Sequence, residues 1–191
     1  QGIKLEDGLE REFREFVAKK ALSLLLPLMR RPEHIPTLVD AVADLHERAG
    51  RLPEAITAYQ KAIQQFPGYD SFSNNLAYLM ARRNEDLGAA LAFVDRSLQR
   101  NPAGSAAYLD TKGWILHRLG RNSEAVGLIE KSLRLMAGGP HAAISESLYH
   151  LGVVYLSLDR TSDAKRVFYR AIRIDEAGVY GRKASAQLRS L

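Results

Sequence analysis

The side chains able to do acid–base or metal chemistry are scattered along this chain and form no recognisable catalytic motif. No two of the five histidines are four residues apart, a spacing that would place both on one helix face to bind a metal ion. The sequence lacks a glycine-rich phosphate loop, a Gly-x-Ser-x-Gly turn and a His-Glu-x-x-His helix. It also has no cysteine, which excludes disulfides, thiolate metal ligands and cysteine nucleophiles. We therefore predict a protein that is not an enzyme and has no metal or cofactor.

Positive charge accumulates toward the end of the sequence. The 191 residues carry a formal net charge of +5. From Asp159 onward the acidic residues are Asp159, Asp163, Asp175 and Glu176, and the basic residues are Arg160, Lys165, Arg166, Arg170, Arg173, Arg182, Lys183 and Arg189. This excess is typical of a solvated helix face, or of a surface for an acidic partner or RNA. Because few aromatic residues are interleaved with the basic ones, the pattern disfavours nucleic acid.

The composition is that of a folded domain without a membrane span. Hydrophobic residues make up 46% of the chain and charged residues 26%, which allows a core and a polar surface. The most apolar run, over residues 21–29, is interrupted by Pro27 and is too short to cross a bilayer. No signal peptide is visible, and the start at Gln1 without a methionine leads us to expect a fragment or a processed form.

The positioning of any functional side chain depends on a repeat of about 35 residues. Each copy is expected to contain a first and a second helix. When the copies are aligned on a small residue of the second helix, they follow one another at intervals of 35, 35 and 39 residues, at Ala55, Ala90, Ala125 and Ala164. A second small position recurs in each first helix, at Ala43, Ala77, Gly113 and Gly152. Small residues at matching places allow two helices to approach closely. Each copy is predicted to be a helix, a tight turn and a second helix, because Gly50 and Gly120 stand where glycine ends helices and Pro67 follows a second helix.

With these residues the chain resembles the tetratricopeptide repeat family. Copies at 36–69, 70–105, 106–139 and 145–178 cover roughly three quarters of the chain, and the first, with Gly50, Ala55, Tyr59, Ala62 and Pro67, matches best. The resemblance implies an all-α, right-handed superhelix. Residues 1–35 are predicted to be one or two helices that cap the first copy, or a degenerate upstream repeat. Residues 179–191 are predicted to form a C-terminal capping helix.

The resemblance also implies a concave groove lined by the first helices. Counted from the small position, the residues expected to face it are Asn74, Tyr78, Arg82, Asp110, Trp114, Arg118 and Tyr149. Aromatic and arginine residues dominate binding hot spots, and arginine binds carboxylates through two parallel hydrogen bonds. We therefore expect a peptide or protein partner that presents an apolar anchor and an acidic group. Aspartates such as Asp40 and Asp44 at groove places argue against the two-carboxylate clamp of chaperone-tail adaptors.

Two alternatives remain open at this level. The arginines can instead pair with Asp110 or another carboxylate of a neighbouring repeat while Trp114 only packs, and the module can serve self-association as a homodimer. One sequence feature bears on origin: residues 74–79 and 108–114 look like tandem repeats of bacterial envelope and polysaccharide-export assembly proteins. They predict a scaffold within a larger bacterial assembly.

Overall fold

The described part of the protein is built from helices alone. The computed structural model describes residues 35–101 and 105–191, so the cap predicted within residues 1–35 lies outside the described residues except for Ile35. The helices in these ranges are α1 (Ile35–Arg48), α2 (Leu52–Gln65), α3 (Asp70–Arg83), α4 (Leu87–Arg100), α5 (Ala106–Arg118), α6 (Asn122–Leu135), α7 (His141–Leu156), α8 (Thr161–Ile174) and α9 (Val179–Arg189). None of these described helices combines the length and the apolar character that a membrane crossing requires. The all-α prediction is confirmed for this part of the chain.

The turns inside the helix pairs use left-handed backbone, at the predicted Gly50 and Gly120 and also at Asn84 and Asp159 in the other two pairs. Gly50, Asn84, Gly120 and Asp159 have φ angles of 74°, 58°, 79° and 56°, respectively. Just beyond α5, the amide of Gly120 donates to the carbonyl of His117 at 2.9 Å and the amide of Arg121 donates to that of Leu116 at 2.8 Å. This pair of bonds satisfies the last carbonyls of the helix and reverses the chain. Glycine and asparagine are favoured there because they adopt the left-handed conformation at low cost.

The chain divides into two compact units, one ending at Leu79 and one beginning at Met80, and α3 crosses this boundary. In the first unit α1 packs on α2, and the first residues of α3 complete the described part. Its core contains Ala43, Ala55, Tyr59, Phe72 and Leu76, each at most 5% exposed. In the second unit α4 packs on α5, α5 on α6, α6 on α7, α7 on α8, and α8 on α9.

The recurring small residues mark the closest helix crossings of the second unit. A Cβ atom added to Gly113 would lie 2.6 Å from Cγ1 of Ile129 on α6. A Cβ atom added to Gly152 would lie 2.3 Å from the ring of Phe168 on α8. Such distances are far below van der Waals contact, so the first and second helices approach this closely because the position carries no side chain.

Candidate functional site

The second unit places three helices so that their side chains form one continuous cluster. The alternating helices α5, α7 and α9 contact one another in sequence, with α7 in the middle, while α6 and α8 pack behind them. The core faces of α7 and α8 bury Leu148, Leu151, Phe168 and Ala171. The helix rotations fixed by this core point Asp110, Trp114, Tyr149 and His150 toward the cluster.

A buried ion pair joins α5 to α7 at the base of the cluster. The ring nitrogen Nδ1 of His150 lies 2.8 Å from Oδ2 of Asp110, and the two side chains are 2% and 8% exposed. Burial by itself lowers the pKa of His150, but the charge of Asp110 and its hydrogen bond more than offset this, so the pKa of His150 is raised. The other oxygen of Asp110, Oδ1, is buried without a hydrogen-bond partner. The pair is therefore a specific link between repeats whose strength depends on the charge of His150.

Trp114 covers this pair. Its ring lies 4.4 Å from the ring of His150 at an angle of 21°, a stacked arrangement, and 5.0 Å from the ring of His117. His117 donates a hydrogen bond from Nδ1 to the amide oxygen of Asn122 at 2.8 Å, and burial lowers its pKa. An indole stacked on an imidazolium gains a cation–π attraction. The indole Nε1 is buried and has no hydrogen-bond partner. Trp114 as a whole is half-buried, so it is still partly accessible to a partner.

Two tyrosines and a lysine extend the cluster from α7 to α9. The rings of Tyr149 and Tyr180 lie 5.6 Å apart, and the ring of Tyr180 meets that of His150 edge-on at 5.7 Å. The ammonium of Lys183 lies 4.6 Å from the ring centre of Tyr180 and 5.7 Å from that of Tyr149. Both tyrosines are half-buried and Lys183 is exposed. We call Trp114, Tyr149, Tyr180 and Lys183 the aromatic surface.

The remaining residues predicted for the second unit lie at exposed places. Arg118 follows Trp114 by one turn of α5, is exposed, and has no ion-pair partner among the described residues. Arg82 is exposed near the end of α3. The sequence also allowed an alternative in which an arginine pairs with Asp110. The observed partner of Asp110 is instead His150. The structure thus brings Asp110, Trp114 and Tyr149 together around His150.

Asn74 and Tyr78 belong to the first unit. Asn74 is 5% exposed, donates from Nδ2 to Oδ1 of Asn75 at 3.2 Å, and keeps its own Oδ1 buried without a partner. Oδ1 of Asp40 accepts from Asn75 and from the hydroxyl of Tyr59, each at 3.0 Å. Burial raises the pKa of Asp40 and that of Tyr59. Tyr78 is half-buried. This polar cluster ties α1, α2 and α3 together within the unit.

Sequence reasoning missed Tyr180 and Lys183 and gave His150 no special role. Residues 179–191 were predicted only as a capping helix, although a helix that follows a second helix takes the place of the next first helix in a solenoid. This rule was the available signal for Tyr180 and Lys183. Among the described residues, no group of three or more histidine, aspartate or glutamate side chains is placed to hold a metal ion.

Comparisons with known proteins match both halves of the described chain to one repeat family. A family model described as tetratricopeptide repeat matches residues 104–177, and a second of the same description matches residues 41–106. The chain is also 31% identical over 133 residues to "Cellulose synthase operon protein C" of Pseudomonas fluorescens (strain SBW25). That match takes in 70% of this chain and 10% of the relative, so the chain spans about a tenth of the length of this relative.

Solved structures share the fold at low sequence identity. TTC0263, a thermophilic tetratricopeptide protein of Thermus thermophilus, superposes with a TM-score of 0.70 at 19% identity over 90% of each chain. MamA from Desulfovibrio magneticus RS-1, from residue 41 to its end, gives a TM-score of 0.59 at 16% identity over 91% of this chain and 95% of that chain. These likenesses support the helical-repeat architecture.

Proposed function

Because the chain belongs to the tetratricopeptide repeat family, we propose that it is a non-catalytic module that binds a segment of a partner protein on the aromatic surface. Tetratricopeptide folds are scaffolds for protein–protein interaction, and members of the family typically have no catalytic role. The cluster of Trp114, Tyr149 and Tyr180 around a buried ion pair is the observation that carries the proposal. Tryptophan and tyrosine dominate binding hot spots because they bury a large rigid area at a small entropic cost.

The chemistry of the surface supports a partner with both apolar and acidic groups. The half-buried rings offer an apolar platform, while Lys183 and Arg118 place two cations at its margin. A partner segment with an apolar side chain flanked by a carboxylate satisfies both features, because arginine and lysine form charge-assisted hydrogen bonds with carboxylates. Asn74, Tyr78 and Arg82 stay predicted binding residues of the repeat that precedes α5.

The proposed setting is a larger bacterial assembly of the envelope or polysaccharide-export type. The sequence motif of residues 74–79 and 108–114 supports it, and so does the match to a protein named for a cellulose synthase operon. Since the chain spans a tenth of that relative, the activity and partners of the whole relative do not transfer to this chain. The role proposed for this chain is to hold one component of such an assembly.

A quantitative pull-down from lysate of the source organism tests the aromatic surface. The groove variant, Arg118→Glu with Lys183→Glu, reverses two exposed charges beside the rings and leaves the buried pair in place. The control variant, Arg96→Glu with Lys131→Glu, changes net charge equally at exposed positions of α4 and α6. We expect the groove variant alone to lose its specific partner, with affinity weakened about tenfold or more, a size typical of hot-spot residues. Equal retention by both variants would reject the assignment, provided that circular dichroism shows unchanged helicity.

Self-association is the second candidate. An apolar cleft of about 370 Å³ between α1 and α2 in the first unit, lined in part by Val39, Val42, Ala62 and Phe66, favours it. A second copy of the chain could fill such a cleft. Sedimentation equilibrium separates the two candidates, because self-association requires a mass that rises with protein concentration and a partner-binding module does not.

A further inference from the structure

The second unit carries a basic stripe on α8 that the aromatic surface does not use. Its members are Arg166, Tyr169, Arg170 and Arg173, which we call the α8 stripe. The opposite face of the helix is fixed in the core by Ala164, Val167, Phe168 and Ala171, each at most 3% exposed. With 3.6 residues per turn, positions 166, 169, 170 and 173 fall on one side of the helix. All four side chains are exposed, and Tyr169, at 64%, is the most exposed large hydrophobic side chain among the described residues.

The charges of the α8 stripe are only partly satisfied within the protein. Arg166 donates to Oδ1 of Asp163 at 2.7 Å, and Asp163 also binds Arg160. Arg170 and Arg173 have no hydrogen-bond or ion-pair partner among the described residues. Two guanidinium groups thus keep their full set of donors available beside an exposed phenol ring. Arginine and tyrosine are enriched in interface hot spots.

We infer that the α8 stripe is a second interaction surface, which binds a short acidic segment of a protein. The guanidinium fork matches a carboxylate geometrically, and Tyr169 supplies an apolar contact next to the charged positions. Arg166, Arg170 and Arg173 follow an i, i+4, i+7 spacing, which spans about 10 Å at 1.5 Å per residue. A helical partner with carboxylates at the same spacing presents complementary charges over the same length.

The length of the stripe favours an acidic peptide over nucleic acid. Acidic groups stand near both of its ends, Asp163 at the start and Asp175 with Glu176 just beyond α8. A nucleic acid carries a continuous track of phosphates, which would approach these carboxylates, whereas a short peptide can place its charges between them. One exposed aromatic ring also provides little of the repeated stacking that single strands use.

The test uses a fluorescent 12-residue peptide with glutamates at positions 3, 7 and 10 and a leucine between them. Its partner peptide carries glutamines in place of the glutamates, and a fluorescent 12-nucleotide deoxythymidine strand serves as the third probe. The stripe variant, Arg170→Glu with Arg173→Glu, is compared with the wild-type chain and with the control variant, which has the same net charge. Fluorescence anisotropy at low and moderate salt gives the dissociation constants.

We expect the acidic peptide to bind the wild-type chain and the control variant alike, and the stripe variant at least about tenfold more weakly. The glutamine peptide should bind all three proteins weakly. Its affinity for each should be no higher than the affinity of the stripe variant for the acidic peptide. If the stripe variant and the control variant lose the same affinity for the acidic peptide, net charge alone explains the binding and the proposal is overturned. Preference for the oligonucleotide would overturn it in favour of nucleic acid.

Two further variants keep the result interpretable. Tyr169→Ser removes the apolar contact at an exposed position where folding is not at risk, and it should weaken peptide binding without a change in helicity. The groove variant should bind the acidic peptide like the wild-type chain, because its changes lie on α5 and α9. If the groove variant loses the peptide and the stripe variant keeps it, the acidic site belongs to the aromatic surface and the α8 stripe is not a binding site.

Discussion

The proposed binding surface depends most directly on the pair of His150 and Asp110. His150 is nearly fully buried, carries a raised pKa, and lies between Trp114 and Tyr180. A buried carboxylate without its charged partner is costly, because the carboxylate keeps its desolvation penalty and loses the compensating attraction. The protonation state of one histidine therefore affects three helices at once.

The raised pKa of His150 leads to a titration that Trp114 should report. Trp114 is the single tryptophan of the chain, and a protonated imidazole stacked on it quenches indole fluorescence more than a neutral one. We expect fluorescence to rise with pH with a midpoint above 6.5, the ordinary value for histidine. In Asp110→Asn the midpoint should fall, because the carboxylate that holds the proton is gone. His117→Gln is the control: the pKa of His117 is lowered, so its removal should leave the upper transition unchanged.

The same pair should make stability depend on pH with a definite sign. The pKa of His150 is raised in the folded chain, so its contribution is fully present below the unfolded pKa and is lost as pH rises through the folded pKa. We expect the free energy of unfolding in urea to fall above about pH 6.5 in the wild-type chain. Asp110→Asn should lower it by about 1–3 kcal/mol near pH 6 and flatten the profile above that pH. A wild-type profile parallel to that of Asp110→Asn would contradict the link.

At the scale of the helices, alanine substitutions at two glycines should change stability in opposite directions. Gly152→Ala places a methyl group far closer to the ring of Phe168 than van der Waals contact allows. Overpacking of this kind lowers the free energy of unfolding by about 1–3 kcal/mol, which is more than the gain in helix propensity. Gly127→Ala adds the same methyl group to α6 where nothing lies within 4 Å, so it should stabilise by up to about 1 kcal/mol. Urea unfolding of both variants measures the difference. Equal shifts in the same direction would show that Gly152 is not the closest point of the α7–α8 crossing.

The helix pairs could be predicted from the sequence because the repeat encodes them several times. Gly113 and Gly152 occur at equivalent places, and the left-handed turns at Gly50 and Gly120 follow from residue type alone. The partner of Asp110 could not be predicted this way. His150 lies 40 residues away, and contact between them depends on side-chain rotamers and on the rotation of α7 against α5. The role of Lys183 could not be predicted for a similar reason, because it depends on how α9 packs.

Lys112 illustrates how packing can override the repeat pattern. It occupies a place in α5 where the other copies favour an apolar residue, yet its ammonium lies 2.6 Å from Oδ1 of Asp95 on α4. Its side chain is 28% exposed, so the aliphatic stem is covered while the charge reaches a partner. A salt bridge between neighbouring repeats here takes the place of an apolar contact.

At the scale of the second unit, stability should follow the nearest-neighbour logic of a solenoid. Each described helix of this unit packs mainly on helices close to it in sequence, and α9 packs on α7 and α8. In such an array a local change alters the stability of the adjoining repeat most, whereas in a globular core it would alter the stability of the whole domain. Two binding surfaces on one array can for the same reason remain energetically separate.

Removal of residues 178–191 tests this logic and the two surfaces together. The truncation removes the fully buried Ala184 and the partly buried Leu188 and Tyr180, which should lower the free energy of unfolding by about 3 kcal/mol through lost apolar burial. We expect hydrogen exchange to accelerate in α7 and α8 and to change little in α4. The truncated chain should lose the partner of the aromatic surface, because Tyr180 and Lys183 are gone, and should still bind the acidic peptide at the α8 stripe. Uniform acceleration from α4 to α8 would instead show a single cooperative unit, in which neither surface could be altered without the other.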